Sequence, residues 1–276
     1  MRRKARRATC ESRRHGDAEP VRRPWYWMSL VTALASALTN TSGAGADERV
    51  EAQRRQMVDD IAAIARSTAS DTGRATFAER VMAAMRKVER HRFVPGATAS
   101  QAYRDSPLPI GSGQTISQPY IVALSTDLID PKPDHVVLEI GTGSGYQAAV
   151  LAELVKNVYS IEIVASLGRE AAERLAKLGY RNVEVRIGDG YKGWPEKAPF
   201  DGIIVTAAAP FVLAPLVAQL KPGGKMIIPV DAGILHQDLL LIEKHADGTT
   251  ARRVVLRVRF VPLTGPGVRE GASGRK

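Results

Sequence analysis

The 276-residue sequence predicts a doubly wound α/β fold: a mostly parallel sheet covered by helices on both faces, with extra helices N-terminal to it. Three observations predict it. Strand-like and helix-like segments alternate from His135 onward. Three glycines at alternate positions follow the first of those strands directly, in "VLEIGTGSGYQAAVLAEL". The composition, 44% hydrophobic and 25% charged, is that of a globular chain able to bury a core.

The first 46 residues stand apart. Residues 1–23 hold nine Lys/Arg against three acids, a net +6 of the chain's +10. The body is therefore only mildly basic, and most of the case for a nucleic-acid partner leaves with the leader. "WYWMSLVTALASAL" (25–38) has the length of a signal h-region and is short for a membrane span. Ala44 and Ala46 form an A-x-A-like site before Asp47. Export after cleavage is one expectation; a basic tail on a cytoplasmic protein is the other.

Residues 49–66 place Val50, Met57, Val58, Ile61, Ile64 and Ala65 at helical spacing, and residues 76–90 do the same with Phe77, Val81, Met82, Met85 and Val88. "FVPGATASQAYRDSPLPIGSGQTISQP" has four prolines and three glycines and reads as a long functional loop. A helix is expected from Pro119 to Leu128. Then come strand "HVVLEI", helix 145–156, strand "VYSIEI", helix 164–178, strand "VEVRI", loop "GDGYKGWPEKAP", strand "FDGIIVT", helix 211–220 and strand "KMIIPV". "DLLLIEKH" and "RVVLRVRFVPL" read as a closing antiparallel pair, and 265–276 as a disordered tail. The organisation is thus leader 1–46, helices and loop 47–134, core 135–264 and tail 265–276.

In such sheets ligands bind at the carboxyl ends of the strands. Gly141, Gly143 and Gly145 let a backbone approach a ligand closely. A dinucleotide turn, G-x-G-x-x-G, would need a small residue where Tyr146 stands. The spacing here is G-x-G-x-G, preceded by Glu139, an acid suited to a cofactor carrying sulfonium and ammonium groups. Glu162 ends the second strand and can accept both ribose hydroxyl protons, which suits a dinucleotide equally well. Asp189, before Gly190, can bond an adenine amino group or simply shape a turn. Together these favour S-adenosylmethionine, with an NAD-linked oxidoreductase as the competing class. Cys10 is the only cysteine and the five histidines lack ligand spacing, so no metal site is expected.

"PLPIGSGQTISQPY", "LEIGTGSGYQ", "GDG", "PFDGIIVTAAAP", "LKPGGKMIIPV" and "RFVPL" occur in that order. From about residue 55 to 265 the chain resembles the protein-L-isoaspartate O-methyltransferase family. The resemblance implies a Rossmann-like methyltransferase fold with added N-terminal helices and S-adenosylmethionine as methyl donor. It implies methylation of the free carboxylate of isoaspartyl residues in damaged proteins and peptides, with repair through a succinimide. An α-type carboxylate, of pKa near ~3.5, is ionised at neutral pH and needs alignment rather than a strong base.

By the same resemblance Ser117 is the active-site serine, bonding the substrate carboxylate; its other reading is a cap for the following helix. Thr115, Ile116 and Gln118 complete its loop, the first two toward the cofactor and Gln118 toward the substrate. Thr206, Ala207 and Ala208 are small enough to admit a peptide backbone, Val261 begins a strand edge that can complete the peptide site, and Gln237 can orient the peptide. The expected form is a cytoplasmic monomer with no stable membrane anchor.

Overall fold

The computed structural model describes residues 41–96, 99–233 and 236–273. The chain divides into two units, Met1–Ala46 and Asp47–Lys276. The basic stretch and the apolar run 25–38 lie outside the described residues. No helix among the described residues is long and apolar enough to cross a membrane.

Helix α1 (Thr41–Ser67) buries Met57, Val58, Ile61 and Ala65, the spacing of one helical face. A short turn, α2 (Ala69–Thr72), ends at Gly73. Helix α3 (Glu79–Lys87) buries Val81, Met82, Ala84 and Met85 and is shorter than the sequence pattern at both ends. Asp127 accepts the Ala78 N–H at 2.7 Å just ahead of α3, and a 3₁₀ turn, Arg90–Phe93, follows it.

The Pro/Gly-rich stretch expected as loop contains α4 (Ala99–Ala102) and a hairpin of β1 (Leu108–Gly111) and β2 (Gln114–Ile116). Ser112 and Gly113 both have positive φ, 52° and 70°, the combination that closes a two-residue hairpin without splaying its strands. The proline and glycine punctuation hid two very short strands. Helix α5 (Pro119–Leu128) then runs buried along its length.

The main sheet holds β3 (Val136–Ile140), β4 (Asn157–Glu162), β5 (Val183–Ile187), β6 (Phe200–Val205), β7 (Leu220–Asp231), β8 (Gln237–Lys244) and β9 (Thr250–Val258), in the order β5-β4-β3-β6-β7-β8-β9. The first five positions are parallel and β8 and β9 are antiparallel additions. Helices α6 (Tyr146–Ala152), α7 (Ala165–Lys177) and α8 (Ala214–Ala218) make the crossovers. Strand alternation feeds two cores: Val137, Val158 and Ile204 pack with α1, α3 and α5, whereas Leu138, Ile161 and Ile203 pack on the opposite face. Strand order reverses between β3 and β6, so the crevice at their carboxyl ends is where a ligand is expected.

Further boundaries differ from the sequence reading: α6 ends at Ala152 rather than 156, and β9 ends at Val258 rather than Leu263. The helix expected over 211–220 shrinks to α8, because "LKPGG" already belongs to β7. The tail expected as disordered forms α9 (Pro266–Ser273), anchored by the Gly267 N–H on Asp189 at 2.8 Å. A side chain at Gly267 would meet the Tyr191 ring, so glycine lets the tail lie flat on it.

Candidate active site

Two cavities open at the carboxyl ends of β3, β4 and β6. The narrower, about 50 Å³, runs between the glycine loop, Glu162 and Gly190 on one side and Thr115, Val261 and Thr264 on the other. The wider, about 530 Å³, lies beside Ser117, between α1, the hairpin, α5 and the chain from Leu256 to Val261. Thr115, Thr206 and Val261 line both, so the two cavities meet at a common wall.

The narrow cleft is lined by three glycines among mostly small and apolar residues. Gly141 has φ 98°, and a Cβ on it would stand 2.4 Å from Thr206 Oγ1. That hydroxyl lies 2.7 Å from the Gly141 carbonyl and 3.0 Å from that of Ile140, tying the end of β6 to the loop. A Cβ on Gly190 would stand 2.4 Å from Ile140 Cγ2. Glu162 is buried; it accepts Gly143 N–H at 2.7 Å and Val164 N–H at 2.9 Å. A carboxylate held between two backbone donors keeps further lone pairs for a diol.

Not every expected cofactor residue reaches this cleft. Glu139 is fully buried within the sheet, where burial pushes its carboxyl up to about 8. Ser160 donates to one of its oxygens; the other has no partner among the described residues. Strand alternation turns it into the core beside the loop rather than toward the ligand. Gly145 serves packing: a Cβ there would meet Leu175 of α7 at 3.1 Å. Tyr146, which argued against a dinucleotide, is buried against Phe93 and Arg90. Ile116 points into the hydrophobic core. Asp189 accepts from Tyr191 N–H at 2.9 Å and Gly267 N–H at 2.8 Å, and the tail covers it.

In the wider pocket Ser117 is half-buried, and among the described residues its hydroxyl has no hydrogen-bond partner. It does not cap α5. Gln118 holds the cap position, and Asp105 supplies the capping oxygen, accepting Tyr120 N–H at 2.8 Å. Asp105 also accepts from Gln118 Nε2 at 2.6 Å, which orients that amide at the pocket. Tyr120 hydroxyl meets Thr68 of the α1–α2 junction at 2.6 Å and closes the far side.

Thr206 and Ala207 line the cleft, but Ala208 offers no free backbone. Its N–H donates to Val261 carbonyl at 2.8 Å and its carbonyl accepts Leu263 N–H at 2.7 Å. The edge expected at Val261 is thus paired within the chain. Gln237 faces neither cavity; it clamps both backbone groups of Phe260, at 2.6 and 3.3 Å. Sequence reasoning missed Gln114, Ile163 and Thr264 in the cleft and Thr68, Arg257 and Arg259 in the pocket. Thr264 directly follows "RFVPL", Arg259 opens it and Gln114 lies within "PLPIGSGQTISQPY", so these three could have been read with their motifs; Ile163, Thr68 and Arg257 carried no local signal.

It also missed Arg90, fully buried, which donates to the carbonyls of Ala102 (2.8 Å) and Ser106 (3.3 Å) and stacks 4.8 Å over the Tyr146 ring. Desolvation lowers its pKa, with Tyr146 and Asp105 opposing that shift. This one side chain joins the helix after the glycine loop to the segment before the hairpin.

A parallel sheet with its glycine loop at the switch point and an acid at the end of the next strand defines a Rossmann-like enzyme with an adenosine-type cofactor cleft. The residues fit S-adenosylmethionine: a cleft lined by Gly141, Gly143 and Gly190, with the Glu162 carboxylate at the end of β4 able to accept from a ribose diol.

Comparison with known proteins agrees. Residues 69–267 match the family model of protein-L-isoaspartate(D-aspartate) O-methyltransferase. The chain is 58% identical over 236 residues to protein-L-isoaspartate O-methyltransferase 1 of Cupriavidus necator, covering 86% of this chain and 91% of that one. It is 58% identical over 209 residues to protein-L-isoaspartate O-methyltransferase 2 of Polaromonas sp., covering 76% and 99%. A solved Plasmodium falciparum structure described as a putative protein-L-isoaspartate O-methyltransferase, in complex with S-adenosyl-L-homocysteine, superposes with a TM-score of 0.63 at 26% identity, over 76% of this chain and 98% of that one. The chain belongs to the protein-L-isoaspartate(D-aspartate) O-methyltransferase family. It is an S-adenosylmethionine-dependent enzyme that methylates isoaspartyl carboxylates.

Proposed function

We propose that the wall shared by the two cavities is where methyl transfer takes place, with the cofactor in the cleft and the isoaspartyl residue in the pocket. The observation that carries this is the double lining by Thr115, Thr206 and Val261. S-adenosylmethionine, when bound, supplies an electrophilic methyl group on a sulfonium. Gly141, Gly143 and Gly190 give it backbone to lie on, and Glu162 accepts from its ribose. Ser117 donates its hydroxyl proton to one oxygen of the substrate carboxylate and leaves the other free to react. Gln118, fixed by Asp105, orients the neighbouring peptide unit. No residue need remove a proton, because the carboxylate is already ionised near neutral pH. The protein's contribution is alignment and exclusion of water, an effect of several kcal/mol in a well-oriented site.

Glu139, Gly145, Ile116 and Ala208 act one step back, as the frame of the loop and wall; Asp189 has a second role in holding the tail. The reading extends to a monomer working in the cytoplasm on proteins and peptides, without nucleic acid and without a stable membrane anchor, and rests there on the family resemblance.

The test is methyl transfer to paired peptides differing only in isoaspartyl or aspartyl linkage, read as base-labile methanol. Ser117→Ala should lower kcat/KM on the isoaspartyl peptide about 10- to 100-fold, the loss of one charge-assisted hydrogen bond, while affinity for S-adenosyl-L-homocysteine stays within about twofold. Unchanged kcat/KM would remove Ser117 from the site. Sedimentation of the native protein and sequencing of its N-terminus test the form and location.

A further inference from the structure

The chain from Leu256 to Val261 forms one wall of the 530 Å³ pocket, and it brings in Arg257 and Arg259. Both are exposed, with half-buried Val258, the last residue of β9, between them. Among the described residues that line the pocket they are the only charged ones. Neither guanidinium has an ion-pair partner among the described residues. The nearby acid Asp105 is held by Gln118 and Tyr120 on the α5 side. The other lining residues are apolar or neutral, among them Ile64, Thr68, Tyr120 and Phe260. Two cations at the edge of an otherwise uncharged groove give it a positive field, offset in part at Arg257 by Asp238, which stands opposite it on β8 without an ion pair, and unopposed at Arg259.

We infer that Arg257 and Arg259 set the peptide preference of this enzyme, selecting isoaspartyl sites that have an acidic residue within one or two positions of the damaged one. This rests on the reading of the pocket as the peptide site. The isoaspartyl carboxylate is directed to Ser117, so a second carboxylate on the same extended peptide lies one or two residues, about 3–7 Å, further along, within reach of a long arginine side chain. An arginine can take a carboxylate through two parallel hydrogen bonds, which a neutral or basic flanking residue forgoes. A flanking lysine is opposed by both cations. Because the contacts are solvent-exposed, the preference is moderate and salt-sensitive. It acts on capture of the peptide more than on transfer, and so is expressed in KM.

The experiment uses the full chain, saturating S-adenosylmethionine and synthetic isoaspartyl hexapeptides identical but for Glu, Gln or Lys beside the isoaspartyl residue. The wild type should favour the Glu over the Lys peptide by about tenfold in kcat/KM at low salt, mostly through KM, falling to about twofold at about 0.5 M salt. The variant carrying both Arg257→Glu and Arg259→Glu should invert that ratio. Should it fail to fold, the pair Arg257→Gln and Arg259→Gln should bring the ratio close to one. No preference in the wild type, or the same preference in either double variant, overturns the inference. Ser117→Ala on the Gln peptide separates the two levels. If its turnover stays at the wild-type rate, the pocket itself was misread. If it falls while the charge preference survives the double variants, the arginine inference alone has failed.

Discussion

The cleft and the pocket share a wall but are built on opposite plans. The cleft comes mainly from strand ends within one sheet and from glycines whose missing side chains are filled by neighbours at 2.4 Å. The pocket is assembled from α1, the hairpin, α5 and the end of β9, and about half of its lining is polar or charged side chain. One region is a fixed socket with no room for a methyl group on Gly141 or Gly190. The other is an open surface made largely by side chains, where substitutions away from Ser117 change preference before they change competence. An enzyme with one cofactor and many damaged-protein substrates needs that division.

Arg90 is where the division is bridged, and removing it should have the largest effect. Arg90→Ala takes away two hydrogen bonds to carbonyls and a stacked, fully buried side chain. It should lower the unfolding free energy by about 2–5 kcal/mol, read from urea denaturation, and loosen the hairpin and the α6 end together. A cost under ~1 kcal/mol would mean that the two regions are held independently.

Next in size is the socket itself. Gly190→Ala sets a methyl group 2.4 Å from Ile140 Cγ2 and should weaken S-adenosyl-L-homocysteine binding about 100-fold by calorimetry. A comparable small change on the other side, Val258→Ala, should alter peptide kcat/KM by no more than about threefold. Equal sensitivities would erase the contrast between socket and surface.

The same contrast explains what could be read in the sequence. The sheet, the glycine loop and Glu162 were legible because their signals are local: apolar runs, positive-φ glycines and an acid at a fixed distance. Thr206 and Ala207 were legible as the end of a strand. Glu139 lies buried behind the cleft, because its spacing from Gly141 says nothing about which face of β3 it takes. Asp189 was read for its position after β5, and the Gly267 N–H that occupies it comes from 78 residues away. Gln237 looked like a free polar residue, and only the fold shows Phe260 opposite it. Arg90 and Thr68 were invisible because they meet their partners only through packing of distant segments, and Arg257 and Arg259 because only the fold brings the end of β9 to the pocket.

A smaller effect sharpens the account of the loop. Glu162→Gln keeps the shape but replaces one accepting oxygen by an amide that faces a backbone N–H of Gly143 or Val164. Two donors then oppose each other, and S-adenosyl-L-homocysteine affinity should fall about tenfold. Unchanged affinity would show that the loop is held by its glycines alone and that the ribose finds its acceptor elsewhere.

Glu139 gives a different kind of readout, a slope in pH whose sign is informative. Its folded value of about 8 lies above the 4.5 of an unperturbed glutamate. Between those values the folded protein holds a proton that the unfolded chain has lost. The group's contribution is therefore fully present below about pH 4.5 and is lost as pH rises through the folded value. The amide introduced by Glu139→Gln does not titrate. The stability of the wild type relative to that variant should therefore fall by up to about 1.4 kcal/mol per pH unit across the window, then level off. Paired melting curves from about pH 5 to 9 measure this directly. A difference that stays constant with pH would mean that the carboxyl is ionised when folded, and hence that a cation reaches it. That would return Glu139 to the ligand-facing role its sequence position suggested, whereas a difference that changes with pH would keep it as a neutral strut behind the cleft.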